Sequence, residues 1–580
     1  MSESIELLYF PGDDRAEDAS EVVRVVADAA LARANEVCGS DYAFDWQSEV
    51  EDPKLTVGLR LWLRLKDEFD INLLNENNQR DQEILSLLTE GSLADIQAKF
   101  PKVQEGNLDF IRDSANSMKG LNVLVPAEGV LARIRKAGYA YKGATGTLSG
   151  KGTPSSINVF IRKQLKSDAC VRDFRNVAPR THQSVDVNMA VFVGPEGVTS
   201  DTPHLEGTEY TDAKIITSKS EAIVARAFAY AKEKGIDTVY VAQKGNILKE
   251  SDNAFVEFGR QQSEATGIKM EYIIFDNFLQ RITKNPDWFR VIVTTQFYGR
   301  DFLVPLADAM LTEVERDNLG DEIGQFVRFE GKNADFTQLP IDTRCYRQNN
   351  EGFYIGEDKR TDTESINFRR ITREMSDNVI RYCFDDTLAR GKKNVFVLYS
   401  PFLKGDELFT KVGREIAKDA KYADLNIQFM TIASYCWYTV NRPLLVESVV
   451  GTNLTMDFLT DAEASKIGGI GMMPSFNYTL STGLMVSEPG HGTAPDLQPD
   501  QINPGASIWA MCALLERMGD DQTGRLNDTQ KATLAKAGEL LYNATFNFYK
   551  AGEGLTGDLG GSGSTTGVGE GIKAQLTQLS

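Results

Sequence analysis

An internal repeat between about residues 215 and 460 constrains the fold of this chain more than any other feature. Each copy has a helical segment and three hydrophobic strands, at 238–242, 272–275 and 291–295 in the first copy and at 394–398, 427–432 and 448–452 in the second. Corresponding positions lie 155 to 157 residues apart. So constant a spacing favours a duplication over two unrelated α/β units of similar rhythm. The alternation of helices and strands predicts an α/β fold.

The N-terminal region also has an α/β pattern. Residues 5–11 form a predicted buried strand that ends at Pro11-Gly12, and a helical pattern follows from about Glu17 to Ala34. Residues 48–118 are charged and helical in pattern. We interpret them as an insertion that forms a structural or contact surface.

Composition narrows the classes of function. A formal net charge of −20 disfavours binding to nucleic acid or to anionic membranes. Six cysteines without a C-x-x-C pair suit a reducing compartment. Three histidines leave little room for a His-based metal site, so any metal should bind through oxygen ligands. The N-terminal residues do not resemble a secretion signal, and no apolar run is long enough to span a bilayer. We therefore expect a cytoplasmic protein.

The most informative stretch is EPGHGTAPDLQPDQINP, residues 488–504. It places His491 and Asp496 on a loop shaped by Gly and Pro, directly before a hydrophobic helix pattern. The small residues between them would let the backbone come close to a flat ligand. Taken alone, such a loop could equally be an ordinary surface connection. No G-x-G-x-x-G fingerprint follows a strand anywhere in the chain.

A second stretch, residues 156–175, reads SINVFIRKQLKSDACVRDFR. Arg162 and Arg172 supply guanidinium forks that suit carboxylates. Ser156 and Asn158 stand near a predicted helix start, where free N–H groups favour an anion. Taken alone, the stretch could equally be a basic amphipathic helix.

Together these two stretches resemble the isocitrate/isopropylmalate dehydrogenase family, the β-decarboxylating hydroxyacid dehydrogenases. The Ser and Asn of the S-x-N-x-x-x-R pattern resemble the isocitrate branch. The resemblance implies a large α/β domain formed by both chain ends and a duplicated small or clasp-type middle region. We expect the large domain at 1–150, with 48–118 as its insertion, and at 462–580, and the two small-domain copies at 151–310 and 311–461.

The resemblance also implies roles for individual residues. Lys244 would assist deprotonation of the substrate hydroxyl, its pKa lowered by a nearby metal, and Tyr354 would be the general acid. The ligands of Mg²⁺ or Mn²⁺ would be Asp276, Asp457 and Asp461. The residues that hold the substrate carboxylates would be Thr147, Ser156, Asn158, Arg162, Arg172 and Arg347. The residues that bind NAD would be His491, Gly492, Thr493, Ala494, Asp496, Leu497 and Asn503.

The implied residues are divided between the two copies. The lysine and the first metal carboxylate occur only in the first copy, and the second copy has Ser400 and Ala433 there. The first copy has lost the Arg–Tyr segment and the other two metal carboxylates, and has in their places Val193, Ser200, Arg300 and Val304. Ordinary family members are homodimers that share such residues between subunits. The resemblance therefore implies a dimer folded into one chain that works as a monomer, although association of complete chains stays open.

The sequence thus predicts an NAD-dependent isocitrate dehydrogenase of the tricarboxylic acid cycle, which forms 2-oxoglutarate and CO₂. Two alternatives stay open. One is another substrate of the same reaction class, such as homoisocitrate. The other is a non-catalytic regulatory or binding subunit.

Overall fold

The structure is a computed structural model that describes residues 3–12, 14–48, 69, 71, 79–108, 111–112, 128–145, 157–194, 198–199, 208–248, 251–319, 323–355, 358–361, 363–521 and 524–579. Its strands are β1 Glu3–Phe10, β2 Tyr42–Ser48, β3 Tyr139–Lys142, β4 Ala169–Arg175, β5 Asp186–Val193, β6 Val198–Thr199, β7 Thr208–Ile216, β8 Thr238–Gln243, β9 Lys269–Ile274, β10 Val291–Thr294, β11 Thr312–Asn318, β12 Gln325–Lys332, β13 Asp342–Gln348, β14 Asp358–Arg360, β15 Glu364–Thr372, β16 Asn394–Tyr399, β17 Asn426–Thr431, β18 Ser448–Gly451, β19 Pro474–Thr479 and β20 Leu484–Pro489.

The α-helices are α1 Ala16–Cys38, α2 Gln79–Glu90, α3 Leu93–Lys99, α4 Glu128–Ala137, α5 Ile157–Gln164, α6 Thr217–Glu233, α7 Ser251–Thr266, α8 Phe275–Lys284, α9 Gln296–Tyr298, α10 Val304–Met310, α11 Arg373–Ala389, α12 Lys404–Ile416, α13 Ile432–Asn441, α14 Asn453–Lys466, α15 Gly505–Gly519, α16 Asp528–Ala551 and α17 Thr565–Leu576. A π-helix, Gly299–Leu303, joins α9 to α10. Among the described residues no helix has the length and apolar character that a membrane crossing requires.

The repeat appears in the order of the strands. The six-stranded sheet runs β11-β12-β5-β10-β8-β9, and six neighbouring strands of the ten-stranded sheet run β19-β4-β13-β18-β16-β17. The strand directions in the two sets also agree. Neighbouring strands are parallel along β5-β10-β8-β9 and along β13-β18-β16-β17, and the two remaining neighbouring pairs of each set are antiparallel. Two unrelated units would not match over six positions.

The two copies exchange one strand. β4 lies in the segment 151–310 of the first copy, yet it pairs with β13 of the second copy. β12 lies in the segment 311–461 of the second copy, yet it pairs with β5 of the first. As a result, all strands of the six-stranded sheet lie within 186–332, and all strands of the ten-stranded sheet lie outside that range. The domain bounds expected from the sequence remain a prediction. The strand ranges given above show only which strands share a sheet.

A third sheet joins the copies. Its order is β14-β15-β7-β6, so that strands of the second copy pair with strands of the first. β7 and β15 are antiparallel, and Asp212 pairs with Phe368, a residue 156 positions later. Because that spacing is the repeat spacing, the local two-fold axis passes through this pair. We call this sheet the clasp.

Helices complete the contact between the copies. α8 of the first copy packs on α14 of the second, and α13 packs on α10 in the symmetric arrangement. At the centre the rings of Phe302 and Phe458, which are counterparts in the repeat, lie 5.1 Å apart in an edge-on contact. Phe275 also packs on Phe458, with ring centroids 4.9 Å apart. These buried aromatic contacts fix the end of α8 against α14, and the candidate site lies there.

The described part of the predicted insertion contains two α-helices. α2 and α3 lie within 48–118, and Ser92 forms a capping box with Asp95 at the start of α3. The predicted N-terminal strand and helix correspond to β1 and α1.

Candidate active site

The site forms where the two copies meet, around the side chain of Lys244. This lysine follows β8 of the first copy and is 2% exposed. Its ammonium contacts the carboxylate of Asp276, the second residue of α8, and lies 2.7 Å from Asp457 on α14 of the second copy. Residues 244 and 457 are therefore brought together across the repeat, as the divided pattern in the sequence predicts.

Asp457 is the centre of the second-copy half. One carboxylate oxygen accepts a hydrogen bond from Arg347, and the other accepts one from the Tyr354 hydroxyl. Arg172 on β4 lies 3.3 Å from Asp461, one helical turn beyond Asp457. Three cations and three carboxylates are thus buried together, so that their charges largely compensate one another.

The charges shift the pKa values of the groups that would move protons. Burial acts to lower the pKa of Lys244, but the carboxylates of Asp276 and Asp457 raise it well above its usual value. Burial and the charge of Asp457 raise the pKa of Tyr354. Burial also acts on Asp457, yet Arg347 and Lys244 hold its pKa below the usual range. With these protein neighbours Lys244 is accordingly an ammonium and Tyr354 a neutral phenol.

The carboxylates fit a hard divalent cation in chemistry. Oxygen donors are what Mg²⁺ and Mn²⁺ prefer, and Oδ1 of Asp276 is buried with no hydrogen-bond partner among the described residues. Burial and the neighbouring Asp276 raise the pKa of Asp461 to about 8, as expected of carboxylates crowded together without a bound metal. Within the described residues no three acidic, His or Cys side chains already stand in metal-binding geometry, and the ammonium of Lys244 contacts both Asp276 and Asp457.

A second group of cations faces Glu488 at the end of β20. Lys142 and Arg162 each lie 2.7 Å from one of its carboxylate oxygens. Asn477 donates to the same carboxylate at 2.7 Å. Although burial acts to raise it, the two cations lower the pKa of Glu488. The patterns in the sequence assign no role to Glu488, although it opens the stretch that identified the loop.

One cavity of about 130 Å³ connects these groups. Its lining includes eight of the predicted site residues, which come from both copies and from the cofactor loop: Asn158, Arg162, Arg172, Lys244, Arg347, Tyr354, Asp457 and His491. Asn158 accepts a hydrogen bond from Thr145 at 2.9 Å. Thr147 and Ser156, which were also predicted to bind substrate, lie outside the described residues. The lining is mainly polar and cationic, which suits a small substrate with several carboxylates.

The predicted cofactor loop runs from β20 to α15. His491 Nδ1 lies 2.7 Å from the Gly492 carbonyl oxygen, and its Nε2 is buried with no hydrogen-bond partner in the part of the chain that the structure describes. Burial lowers the pKa of His491, so that the ring is neutral and free to hydrogen-bond a flat base. Ala494 has a left-handed backbone, with φ of 51°. Asp496 and Leu497 are exposed and Thr493 is buried.

Asn503 differs from the other loop residues because its side chain forms hydrogen bonds within the protein. Its carbonyl oxygen accepts from the Gly505 amide at 2.9 Å and from the Tyr549 hydroxyl at 2.7 Å. Its amide nitrogen donates to Asp558 at 2.9 Å. Asn503 therefore shapes the end of the loop at the start of α15.

The symmetry-related position between the copies has a different chemistry. In the register of the sheets Val193 pairs with Thr294, and Arg347 pairs with Gly451 in the second copy. Val193 therefore occupies the position that Arg347 has in the second copy. Ser400 takes the position of Lys244. Two cationic groups of the site are thus absent from its counterpart.

Two positions differ from the sequence interpretation. The π-helix Gly299–Leu303 takes up one extra residue, so that Asp301, and not Arg300, is the counterpart of Asp457. Asp301 Oδ2 accepts a hydrogen bond from Ser400 at 2.5 Å, in the way that Asp457 contacts Lys244. Val304 is displaced in the same way, and Pro305 stands opposite Asp461. The shared string Asp-Phe-Leu at 301–303 and 457–459 is the sequence signal that reveals this alignment.

Known proteins are similar to this chain. The family model described as isocitrate/isopropylmalate dehydrogenase matches residues 114–310 and 329–572. A mitochondrial regulatory subunit of NAD isocitrate dehydrogenase from Dictyostelium discoideum is 29% identical over 242 residues, which are 41% of this chain and 64% of that protein. Homoisocitrate dehydrogenase of Methanocaldococcus jannaschii is 28% identical over 267 residues, which are 46% of this chain and 70% of that protein.

A 3-isopropylmalate dehydrogenase of Archaeoglobus fulgidus is 34% identical over 182 residues, which are 31% of this chain and 55% of that enzyme. The chain thus matches between about half and 70% of the length of these relatives. Among solved structures, the TT0538 protein from Thermus thermophilus aligns with 98% of this chain and 68% of its own, with a TM-score of 0.51 and 16% identity. That likeness supports the fold. The family match over most of the chain shows that it belongs to the isocitrate/isopropylmalate dehydrogenase family of β-decarboxylating dehydrogenases.

Proposed function

We propose that this chain oxidises isocitrate with NAD and a divalent cation to give 2-oxoglutarate, CO₂ and NADH. The observation that carries the proposal is the contact of Lys244 with both Asp276 and Asp457, which joins the two copies in one cavity. Each chain then has one composite active site. Asp276, Asp457 and Asp461 would hold Mg²⁺ or Mn²⁺, which would polarise the substrate hydroxyl and stabilise negative charge.

The residues of the chain divide the remaining work. Arg172 and Arg347 bind substrate carboxylates, and Arg162 adds a third guanidinium at the other wall of the cavity. If Asp276 and Asp457 held a divalent cation, the pKa of Lys244 would fall, because the charges of these carboxylates are what raise it. The ammonium would then release its proton to solvent, and the neutral amine would accept the hydroxyl proton. Tyr354 holds its proton in the buried site and donates it to the product carbon.

We infer NAD as the cofactor from the chemistry of the loop. The exposed Asp496 is a carboxylate next to the predicted adenosine position. It can accept hydrogen bonds from ribose hydroxyls, and it would repel the 2′-phosphate of NADP. The test is kcat/KM with each cofactor, and a higher value with NADP would refute the inference.

The experiment that tests the activity is a titration of isocitrate and Mg²⁺ with NAD, followed by NADH absorbance. Turnover that requires all three supports the proposal, whereas binding without turnover indicates a regulatory role. A panel with homoisocitrate and 3-isopropylmalate is the matched control, because relatives with those names align with this chain. Faster turnover of homoisocitrate would change the substrate and leave the reaction class intact.

A further inference from the structure

The C-terminal end of α8 makes a contact that the proposed chemistry does not use. Lys284, the last residue of α8, is partly buried, and its ammonium donates to two backbone carbonyl oxygens. The distances are 3.1 Å to Gly468 and 2.6 Å to Asp558. In the part of the chain that the structure describes, no ion pair with Lys284 is formed. Burial lowers the pKa of Lys284 and the nearby Arg180 lowers it further, although the charge of Asp558 acts to raise it.

The two carbonyls belong to the region next to the cofactor loop. Asp558 lies in the 3₁₀ turn Gly557–Leu559, and its carboxylate accepts from Asn503 at 2.9 Å and from Thr556 at 2.6 Å. Asn503 in turn ends the loop that holds His491. Lys284 is therefore two hydrogen bonds away from the end of the cofactor loop, through Asp558.

The same helix carries a predicted metal ligand at its other end. Asp276 and Lys284 are the second and tenth residues of α8, about 12 Å apart along the axis at about 1.5 Å per residue. A helix of this length is rigid, so a shift of one end moves the other. α8 thus connects the carboxylate beside Lys244 to the turn that supports the cofactor loop.

The repeat supplies an internal comparison. The counterpart of α8 is α13, in which Ala433 replaces Asp276 and Asn441 replaces Lys284. Asn441 is exposed, and its amide donates to Trp437 of its own helix at 3.0 Å. The lysine contact therefore occurs only on the helix that also carries the site carboxylate, which argues against a general packing feature of the repeat.

We propose that Lys284 is a positioning residue for NAD: it anchors the turn 557–559, and through Asn503 the cofactor loop, to the helix that carries Asp276. The inference rests on the proposed function, because it assumes that the loop binds NAD. A charged donor fixed to two carbonyls is costly to remove, since the carbonyls lose their partner in a partly buried place.

The test compares Lys284→Met, which keeps the stem and removes the donor, with Asn441→Met at the exposed counterpart. We expect Lys284→Met to raise the Kd for NAD about tenfold by calorimetry without substrate, and to raise the KM for NAD by a similar factor. The KM for isocitrate and kcat should stay within twofold. Asn441→Met should match the wild type, and Lys284→Arg should recover most of the NAD affinity.

The possible outcomes separate the two claims. If the wild type binds NAD and Lys284→Met binds it equally well, the positioning role is wrong and the proposed function stands. If Lys284→Met lowers kcat and raises both KM values alike, the residue is merely structural and the inference is also wrong. If the wild type binds no NAD, both claims fail. Should Lys284→Met not fold, Lys284→Gln keeps one donor and is judged by the same ratio of NAD to isocitrate KM.

Discussion

Replacement of Lys244 by Met tests whether its ammonium is the buried counter-charge that holds the two copies together. The side chain is 3% exposed and that of its partner Asp276 is 18% exposed. Methionine keeps similar bulk, so the main change is loss of the charge. Among the described residues Asp276 forms an ion pair only with Lys244, whereas Asp457 keeps Arg347.

The expected cost follows from the carboxylate left without a partner. Removal of one member of a buried ion pair costs about 3–5 kcal/mol. We therefore expect Lys244→Met to lower the free energy of unfolding by about 3 kcal/mol. The double variant Lys244→Met/Asp276→Asn removes both charges and should lose only about 1 kcal/mol.

The assay is urea unfolding of wild type, both single variants and the double variant at pH 7, followed by tryptophan fluorescence. The midpoint and slope give the free energy of each protein. A coupling energy of about 2 kcal/mol between the two substitutions supports the buried pair. Additive effects within about 0.5 kcal/mol would refute it, because independent sites behave in that way.

Three further predictions concern the whole site. Lys244→Ala and Asp457→Asn should each be inactive, and mixing them should restore no activity because both residues serve the same chain; recovery on mixing would mean that chains share their sites. Chelation of divalent cations should abolish turnover and readdition of Mg²⁺ should restore it; full activity after exhaustive chelation would exclude the metal site. Lys142 and Arg162 lower the pKa of Glu488, so this carboxylate stabilises the fold at pH values above its unfolded pKa, and the stabilisation is lost as the pH falls through its folded pKa. The Tm difference between wild type and Glu488→Gln should therefore shrink from pH 7 to pH 3, and a constant difference would contradict the pairing.

Much of the site could be predicted because the family resemblance implied which residues belong to it and the repeat spacing assigned each motif to a copy. Lys244 and Asp457 lie far apart in the chain, yet the missing lysine at Ser400 indicated that the two belong to one site. Asp301 was missed because constant spacing assumes regular helices, and a π-helix breaks that assumption by one residue. The exchange of β4 and β12 was also beyond the sequence, since hydrophobic patterns define strands but not their partners.

The charge state of the site was the least predictable part. The resemblance implied a lysine with a lowered pKa beside a metal, whereas Asp276 and Asp457 raise that pKa in the metal-free protein. Sequence shows which ionisable groups are present. Distances decide which of them are paired, and those distances depend on packing of α8 against α14.

The clasp cannot form during synthesis until β15 has been translated. β15 begins 148 residues after β7 ends, which is roughly 7 to 30 seconds of translation at about 5–20 residues per second. Until then the edge of β7 has no β15 to pair with, and an unpaired edge invites contact with other chains. Two separate subunits would have to close such a sheet by diffusion, at a rate that falls on dilution. In this chain the delay is fixed by the length of the polypeptide and is the same at any concentration in the cell.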